Sequence, residues 1–511
     1  QNQLKLDSGP EGFPWPTDGL GQVTIGMEGR FRIDLEERVS GDEGSTERIP
    51  TMSVVGKDPR PEAGGMAFQS AVVKSFSTES DSSRPQVIAR ASQAWLPVQQ
   101  VKGATTLDRT RPWKMIRPTV NFPGLAGGQD FQLTTTEALL NARSNGVSCP
   151  GEFRLSSPGL VLSGTGIRMD PSTGELHFGE VNGNLDWKIT LDSGEALMGH
   201  TDGGGTFGPI SEDQHALVLR SVDSCYMTLP ESTAIPSRLE TDGFEIYLQS
   251  NADSWRPQRL AGMGGTYWAG ESGALSGGPV DGRWIADGKL GGLLVDGPIL
   301  GHRFGQSGAG WLTASGGAYI QAKTEQIDLW EQVTLQQKNG QVHSEWAELG
   351  PGRKLKAGGE VLLLSQHGMA FADSLESIKN SADMKCADVL AYLVGEKLDT
   401  VRAPHLIFQE DGNIISEDRF SISGYRNARP WKLAGNSLRA SNRNIPILAQ
   451  ANGSVKWDFP DGHIFASQVQ VRENGQISAK GNPLLATLTS PNGAVIGIAQ
   501  SCFMSGQQLS L

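Results

Sequence analysis

Val455-Lys456-Trp457-Asp458-Phe459 and, one turn later, Gly462-His463-Ile464-Phe465-Ala466 decide the fold class of this 511-residue chain. The first stretch places Val, Trp and Phe on one face and Lys and Asp on the other, the period of two expected of a half-buried β-strand. The second is a glycine turn that opens another short alternating run. The phrase returns at Gly412-Asn413-Ile414-Ile415-Ser416, Gly475-Gln476-Ile477-Ser478-Ala479 and Gly493-Ala494-Val495-Ile496-Gly497, with a looser copy at Gly340-Gln341-Val342-His343-Ser344. Repetition at strand-plus-turn spacing predicts an array in which each hairpin buries its apolar face by stacking on its neighbours. Function in such an array belongs to a long surface and not to one pocket.

The same alternation recurs in Leu176-His177-Phe178, Leu185-Asp186-Trp187-Lys188-Ile189-Thr190-Leu191, Phe244-Glu245-Ile246-Tyr247-Leu248-Gln249, Ile327-Asp328-Leu329 and Val333-Thr334-Leu335. Helical spacing is scarce, and its best candidate is about residues 372–394, where propensity alone favours a helix. Glycine, at 65 residues against 27 prolines, is close to twice its average use of about 7%. With no collagen triplet and no long Gly/Ser tract, these glycines read as turn and bulge residues. Residues 1–125 are less regular and carry polar inserts at Glu36–Arg48 and Ser77–Arg84, read as long loops of a β-rich N-terminal region. Gly124–Gly128 and Gly203–Gly205 are the most plausible joints, and the chain is read as sections 1–125, 126–300 and 301–511, the last two continuous if the array has no break.

A formal charge of −12 without a basic stripe argues against nucleic acid as a partner. No apolar run reaches the roughly 20 residues of a membrane-spanning helix. The chain opens on Gln1-Asn2-Gln3, which fits a secreted chain whose leader was removed or trimmed. Cys149, Cys225, Cys386 and Cys502 lie far apart and outside any CxxC, which leaves up to two disulfides or four buried free thiols.

Reactive chemistry is sparse. No histidine pair has zinc-helix spacing, and His200-Thr201-Asp202 before Gly203-Gly204-Gly205 reads as a polar turn, so no metal is assigned. Gly262-Met263-Gly264-Gly265 and Gly305-Gln306-Ser307-Gly308 lack the strand-to-helix context of a nucleotide loop or nucleophile elbow and read as hairpin turns. Nothing shows the convergent acid, base and nucleophile of a reactive site, so no catalytic residue and no cofactor is assigned. Trp187 and Trp457, two of twelve tryptophans, lie on apolar strand faces, as core or as the lining of a greasy groove.

Cys386-Ala387-Asp388-Val389-Leu390-Ala391-Tyr392, continuing through Leu398-Asp399-Thr400-Val401-Arg402-Ala403 to His405-Leu406-Ile407-Phe408, resembles the OstA-like repeat of the lipopolysaccharide-transport bridge family (LptA, LptC and the N-terminal domain of LptD). Gly435-Asn436-Ser437-Leu438-Arg439-Ala440, with Ala451-Asn452-Gly453-Ser454-Val455 and Gly462-His463-Ile464-Phe465-Ala466, looks like a second round. Leu162-Ser163-Gly164-Thr165-Gly166-Ile167-Arg168-Met169-Asp170 with Gly174-Glu175-Leu176-His177-Phe178 is similar to a strand pair of the same family. These phrases cover about 150–511 with gaps.

The resemblance implies an all-β, elongated β-jellyroll (a β-taco) of many short antiparallel strands, whose apolar groove shields acyl chains while sugar headgroups stay in water. It sets 372–394 as strand. It implies a non-enzymatic periplasmic protein that binds lipopolysaccharide or a similar glycolipid on its way to the outer membrane. The groove candidates are Trp187, Ile189, Phe244, Ile246, Leu248, Leu329, Val333, Leu335, Val455, Trp457 and Phe459. Val495, Ile498, Phe503 and Leu509 form a docking edge for inner- and outer-membrane transport components or other copies by strand addition. Two further readings remain: a secreted or cell-surface β-solenoid or β-sandwich protein of structural or carbohydrate-binding, adhesin-like function, and a polysaccharide-active enzyme on a parallel β-helix.

Overall fold

The structure, a computed structural model, describes residues 21–511 apart from 41–45, 77–84, 229–237, 285–289, 304–309, 394–398, 442–448 and several stretches of one to four residues. The described residues form 41 β-strands and no helix. Neighbouring strands pair antiparallel, most with the next in the chain. The parallel β-helix is thereby overturned: short glycine turns close hairpins, whereas parallel neighbours need crossovers of a dozen or more residues. Residues 372–394 fall on the paired strands Gly368–Ser377 and Met384–Leu393, so tertiary pairing overrides helix propensity there.

The chain divides into two compact units, one of residues 1–233, 237–268 and 279–291, the other of 234–236, 269–278 and 292–511. The glycine joints at 124–128 and 203–205 both fall inside the first unit. Thr119–Ala126 pairs there with Gln129–Thr135, and Gly205–Ile210 with Asp213–Thr228. Of the insert Glu36–Arg48, residues 36–40 and 46–48 are paired strand and not loop, Arg30–Ser40 and Thr46–Glu62 pairing from Glu36↔Pro50 to Ser40↔Thr46, while 41–45 lie outside the described residues. A bulge between Leu35 and Glu36 resets the register of this pairing. The insert at 77–84 and the glycines at 305–308 lie outside the described residues. Gly262-Met263-Gly264-Gly265 joins the strands Ser254–Gly262 and Thr266–Gly270.

Within each unit the long strands are creased, and the crease is written in their burial pattern. On Gly462–Val471 the inward residues are Ile464 and Ala466, then Val469 and Val471. On Asp399–Phe408 they are Val401 and Ala403, then Leu406, and on Gly368–Ser377 Ala370 and Ala372, then Leu375. A period of two is interrupted by one step of three. On Gly462–Val471 the extra residue is a β-bulge, while Gly368–Ser377, Met384–Leu393 and Asp399–Phe408 make the same step in register with one another; either way the strand bends, so its two halves turn their apolar faces toward each other. Registers break at this place on consecutive strands: between Trp330 and Val333, His343 and Trp346, and Gly358 and Val361. Left-handed backbone marks the crease at Glu331, Gln332, Gly359, Glu360, Asp388, Gly453 and Ser454 in the second unit, and at Gly166 and Gly243 in the first. Each unit is therefore an antiparallel meander folded lengthwise into two walls around an apolar interior.

Candidate functional site

In the first unit Trp187 and Ile189 come from the wall strand Leu185–Thr190. Phe244, Ile246 and Leu248 follow the crease at Gly243 on Arg238–Asn251 and belong to the facing wall. Their exposure is 0–2%. The rings of Trp187 and Phe244 meet across the interior at 5.9 Å. The Trp187 indole lies over Gly199 so closely that a Cβ there would collide with it, and its Nε1 has no hydrogen-bond partner among the described residues.

A second aromatic group bridges the same two walls. Phe131 meets Phe207 at 5.9 Å and Trp255 at 6.0 Å, and Trp255 Nε1 donates to Ser157 Oγ at 3.1 Å. Sequence reasoning passed over these three rings. Phe131 and Trp255 sit on alternating runs, Phe131-Gln132-Leu133 and Trp255-Arg256-Pro257, which carried the same signal as the candidates chosen.

In the second unit Leu329, Val333 and Leu335 flank the crease at Glu331–Gln332 on the strand Gln326–Gln337, while Val455, Trp457 and Phe459 lie on Ala449–Phe459. All point inward with at most 7% exposure except Phe459, which is half-buried at the strand end and rests against Trp457 at 5.0 Å.

The two triplets are not one pocket. Leu335 and Trp457 belong to a single cross-strand row running Leu335, Val342, Leu363, Ala370, Ala391, Val401, Ile422, Leu433, Trp457. Eight strand-to-strand steps at about 4.8 Å put them about 38 Å apart. Beyond Trp457 the row continues through Ile464 and Ala486. Every member to that point is apolar, and none is more than 8% exposed.

The docking candidates sit at the end of this row. The strand Gly493–Ser505 pairs along its length with Ile477–Ser490, but its other edge is paired only at 503–505, with Gln508–Ser510. Residues 493–502 therefore present an edge without a strand partner among the described residues. Val495, Ile496 and Ile498 are 57%, 70% and 72% exposed. Alternation separates the four candidates: Val495 and Leu509 are on the inner face, Ile498 and Phe503 on the outer. They share an edge and not a face. Ile498 extends an outer row through Leu485 and Phe465, both exposed.

His200, the nearest residue to a ligand cluster in sequence, lies on the outer surface. Asp186 binds its Nδ1 at 2.7 Å and Asp202 its Nε2 at 3.0 Å, and Tyr226 lies against the ring at 5.3 Å. Burial works against the charged imidazole, but hydrogen bonds and charge from both carboxylates prevail and raise its pKa. No three His, Cys, Asp or Glu side chains gather as a metal site among the described residues. The four cysteines are free and buried, so the disulfide alternative falls. Desolvation pushes the thiols of Cys149 and Cys386 up to about 12 and raises those of Cys225 and Cys502 as well.

Neither a known protein family nor a curated protein matches the chain.

Proposed function

We propose that this protein is a non-enzymatic, periplasmic glycolipid carrier or bridge, holding acyl chains of lipopolysaccharide or a similar lipid between its two walls. The observation that carries this reading is the inner row, apolar on every strand from Leu335 to Ala486 and bordered at one end by an exposed apolar strand edge. A continuous apolar track suits a cargo that moves along the protein, and an unpaired edge suits hand-over by strand addition. The interior is filled by its own side chains, so acyl chains enter by parting the walls.

The filled interior favours a second reading, a structural or adhesin-like protein of the secreted or surface class, in which the core is only core. One experiment separates the two. A photo-crosslinking residue at position 457 captures glycolipid in cells under the carrier reading, while the same residue at 456, on the outer face, does not. Mass spectrometry of solvent-extracted protein identifies the lipid. Equal labelling at both positions, or none at 457 in protein competent for transport, removes the carrier reading. Deletion of 493–511 tests hand-over separately and is expected to abolish partner assembly and lipid delivery while the remaining β-structure persists.

A further inference from the structure

The outer surfaces of the two walls differ sharply on the same strands of the second unit. On one wall the outward row runs Asp328, Glu348, Lys356, Glu376, Lys385, a mixed-charge ladder with Lys356 and Glu376 3.9 Å apart. This row is solvated, and beside it Trp330 and Trp346 form one outward pair, Trp346 41% exposed. The other wall carries Leu362, Phe371 and Leu390 in one outward row and Leu364, Met369 and Tyr392 in the next. Met369 and Phe371 are 40% and 46% exposed and the other four half-buried, and Phe371 meets Tyr392 edge-on at 6.3 Å. An apolar cluster of this kind facing water marks an interaction surface.

Its border along the crease is acidic. Glu331, Glu345, Glu360, Asp373 and Asp388 stand on five consecutive strands, the first four in or opposite a register break and Asp388 at a gap in the pairing between Ala387 and Val389, and all are exposed. None forms an ion pair among the described residues. Gly359 leaves the space in which Glu345 lies, since a Cβ there would sit 2.8 Å from Glu345 Cβ. Five carboxylates over four inter-strand steps extend about 19 Å, and neighbouring like charges repel unless a cation covers them. Arg402 and Arg419 begin only beyond Asp388, around a shallow depression of about 510 Å³ that they share with it.

We propose that this face docks a basic amphipathic helix of a partner protein, apolar side chains on the Phe371 cluster and lysines or arginines along the acidic crease. Charge selects this occupant over an anionic lipid surface, which the five carboxylates repel. Backbone pairing excludes an added strand: Leu355–Ser365, Gly368–Ser377 and Met384–Leu393 are each paired on both sides. Recognition must therefore run through side chains, and a helix of about 13 residues spans 19 Å at 1.5 Å per residue. The inference does not depend on what the interior carries.

The test is fluorescence anisotropy of the full chain with a labelled leucine–lysine peptide of helical spacing, with a leucine–glutamate peptide and phosphatidylglycerol vesicles as alternatives. Binding of the leucine–lysine peptide alone is expected. Met369→Ser with Phe371→Ser weakens it at least tenfold. Glu345→Gln, Glu360→Gln and Asp373→Asn together weaken it as much and flatten its salt dependence. The control Glu348→Gln with Glu376→Gln, on the other wall, leaves it within twofold. The proposal is overturned if the acidic peptide or the vesicles bind as well, if the control loses as much as the crease variants, or if the Phe371 cluster variants bind unchanged. Both cluster residues are exposed, and circular dichroism verifies that the variants fold.

Discussion

Ile464 and Phe465 are adjacent in sequence and opposite in environment, so the pair measures whether the walls pack on each other. Ile464 is fully buried in the inner row between Trp457 and Ala486, while Phe465 is 43% exposed on the outer face. Ile464→Ala removes three carbons, about 2.4 kcal/mol at about 0.8 kcal/mol each. The cavity left behind adds about 24 cal/mol per Å³, which brings the cost into the range of about 2–5 kcal/mol. Phe465→Ala removes a larger side chain but costs below about 1 kcal/mol, because its outer face is already in water. Amide hydrogen exchange on the strand Gly462–Val471 of delipidated protein reads the local opening free energy without assuming two-state unfolding of the whole chain. A cost below about 1 kcal/mol for Ile464→Ala, or one no larger than for Phe465→Ala, would refute packed walls.

The four cysteines should resist alkylation in the native protein at pH 8 and all react in denaturant without reductant, because desolvation suppresses the thiolate; fewer than four reactive thiols after denaturation contradicts their free state. His200 has a raised folded-state pKa, so its contribution is fully present below its unfolded value of about 6.5 and is lost as pH rises through the folded value. The melting-temperature gap between wild type and His200→Gln should be widest near pH 5.5 and close with rising pH; a gap that widens instead refutes the carboxylate clamp. Gly199→Ala places a methyl against the Trp187 indole and should cost about 1–3 kcal/mol, measured by thermal melting against Gly265→Ala. At Gly265 a Cβ meets nothing within 4 Å and the backbone is not left-handed, so equal losses would assign the effect at 199 to something other than the indole.

Alternation made the wall faces legible: Val455, Trp457, Phe244, Ile246 and Leu248 all point inward, as their period of two requires. The crease was present in the sequence and went unread. Ile464-Phe465-Ala466-Ser467-Gln468-Val469-Gln470-Val471 shows the phase jump from Ala466 to Val469 directly. A reader expecting short strands takes the jump for an end and not a bend. Glycine marks the crease at Gly166, Gly243 and Gly453, but Glu331, Gln332 and Asp388 hold left-handed backbone without it. At those positions the sequence offers no cue, because neighbouring strands hold the conformation. The inner row from Leu335 to Trp457 was out of reach for a different reason. Each step is a non-local register, and no single strand records which residue of the next stands opposite.

On the proposed reading, packed walls and an acyl-carrying interior are two occupancies of the same surfaces. One acyl chain of about 12 CH₂ groups leaving water contributes about 10 kcal/mol at roughly 0.8 kcal/mol per group. On that reading, when the walls part around it, Leu433 or Ile464, both buried, exchanges its interior surroundings for contact with the chain, and its apolar area remains out of water. The ladders within each wall are unaffected, since the hydrogen bonds run between neighbouring strands of that wall. Work is done chiefly at the crease, where pairing is already interrupted between Trp330 and Val333, His343 and Trp346, and Asn452 and Val455. Bending there changes backbone dihedrals at a few residues per strand without breaking a continuous ladder. A lipid held by several chains would scarcely leave, so transport on the proposed reading requires that the walls close behind the cargo as it moves, recovering in wall contact what the departing chain gives up.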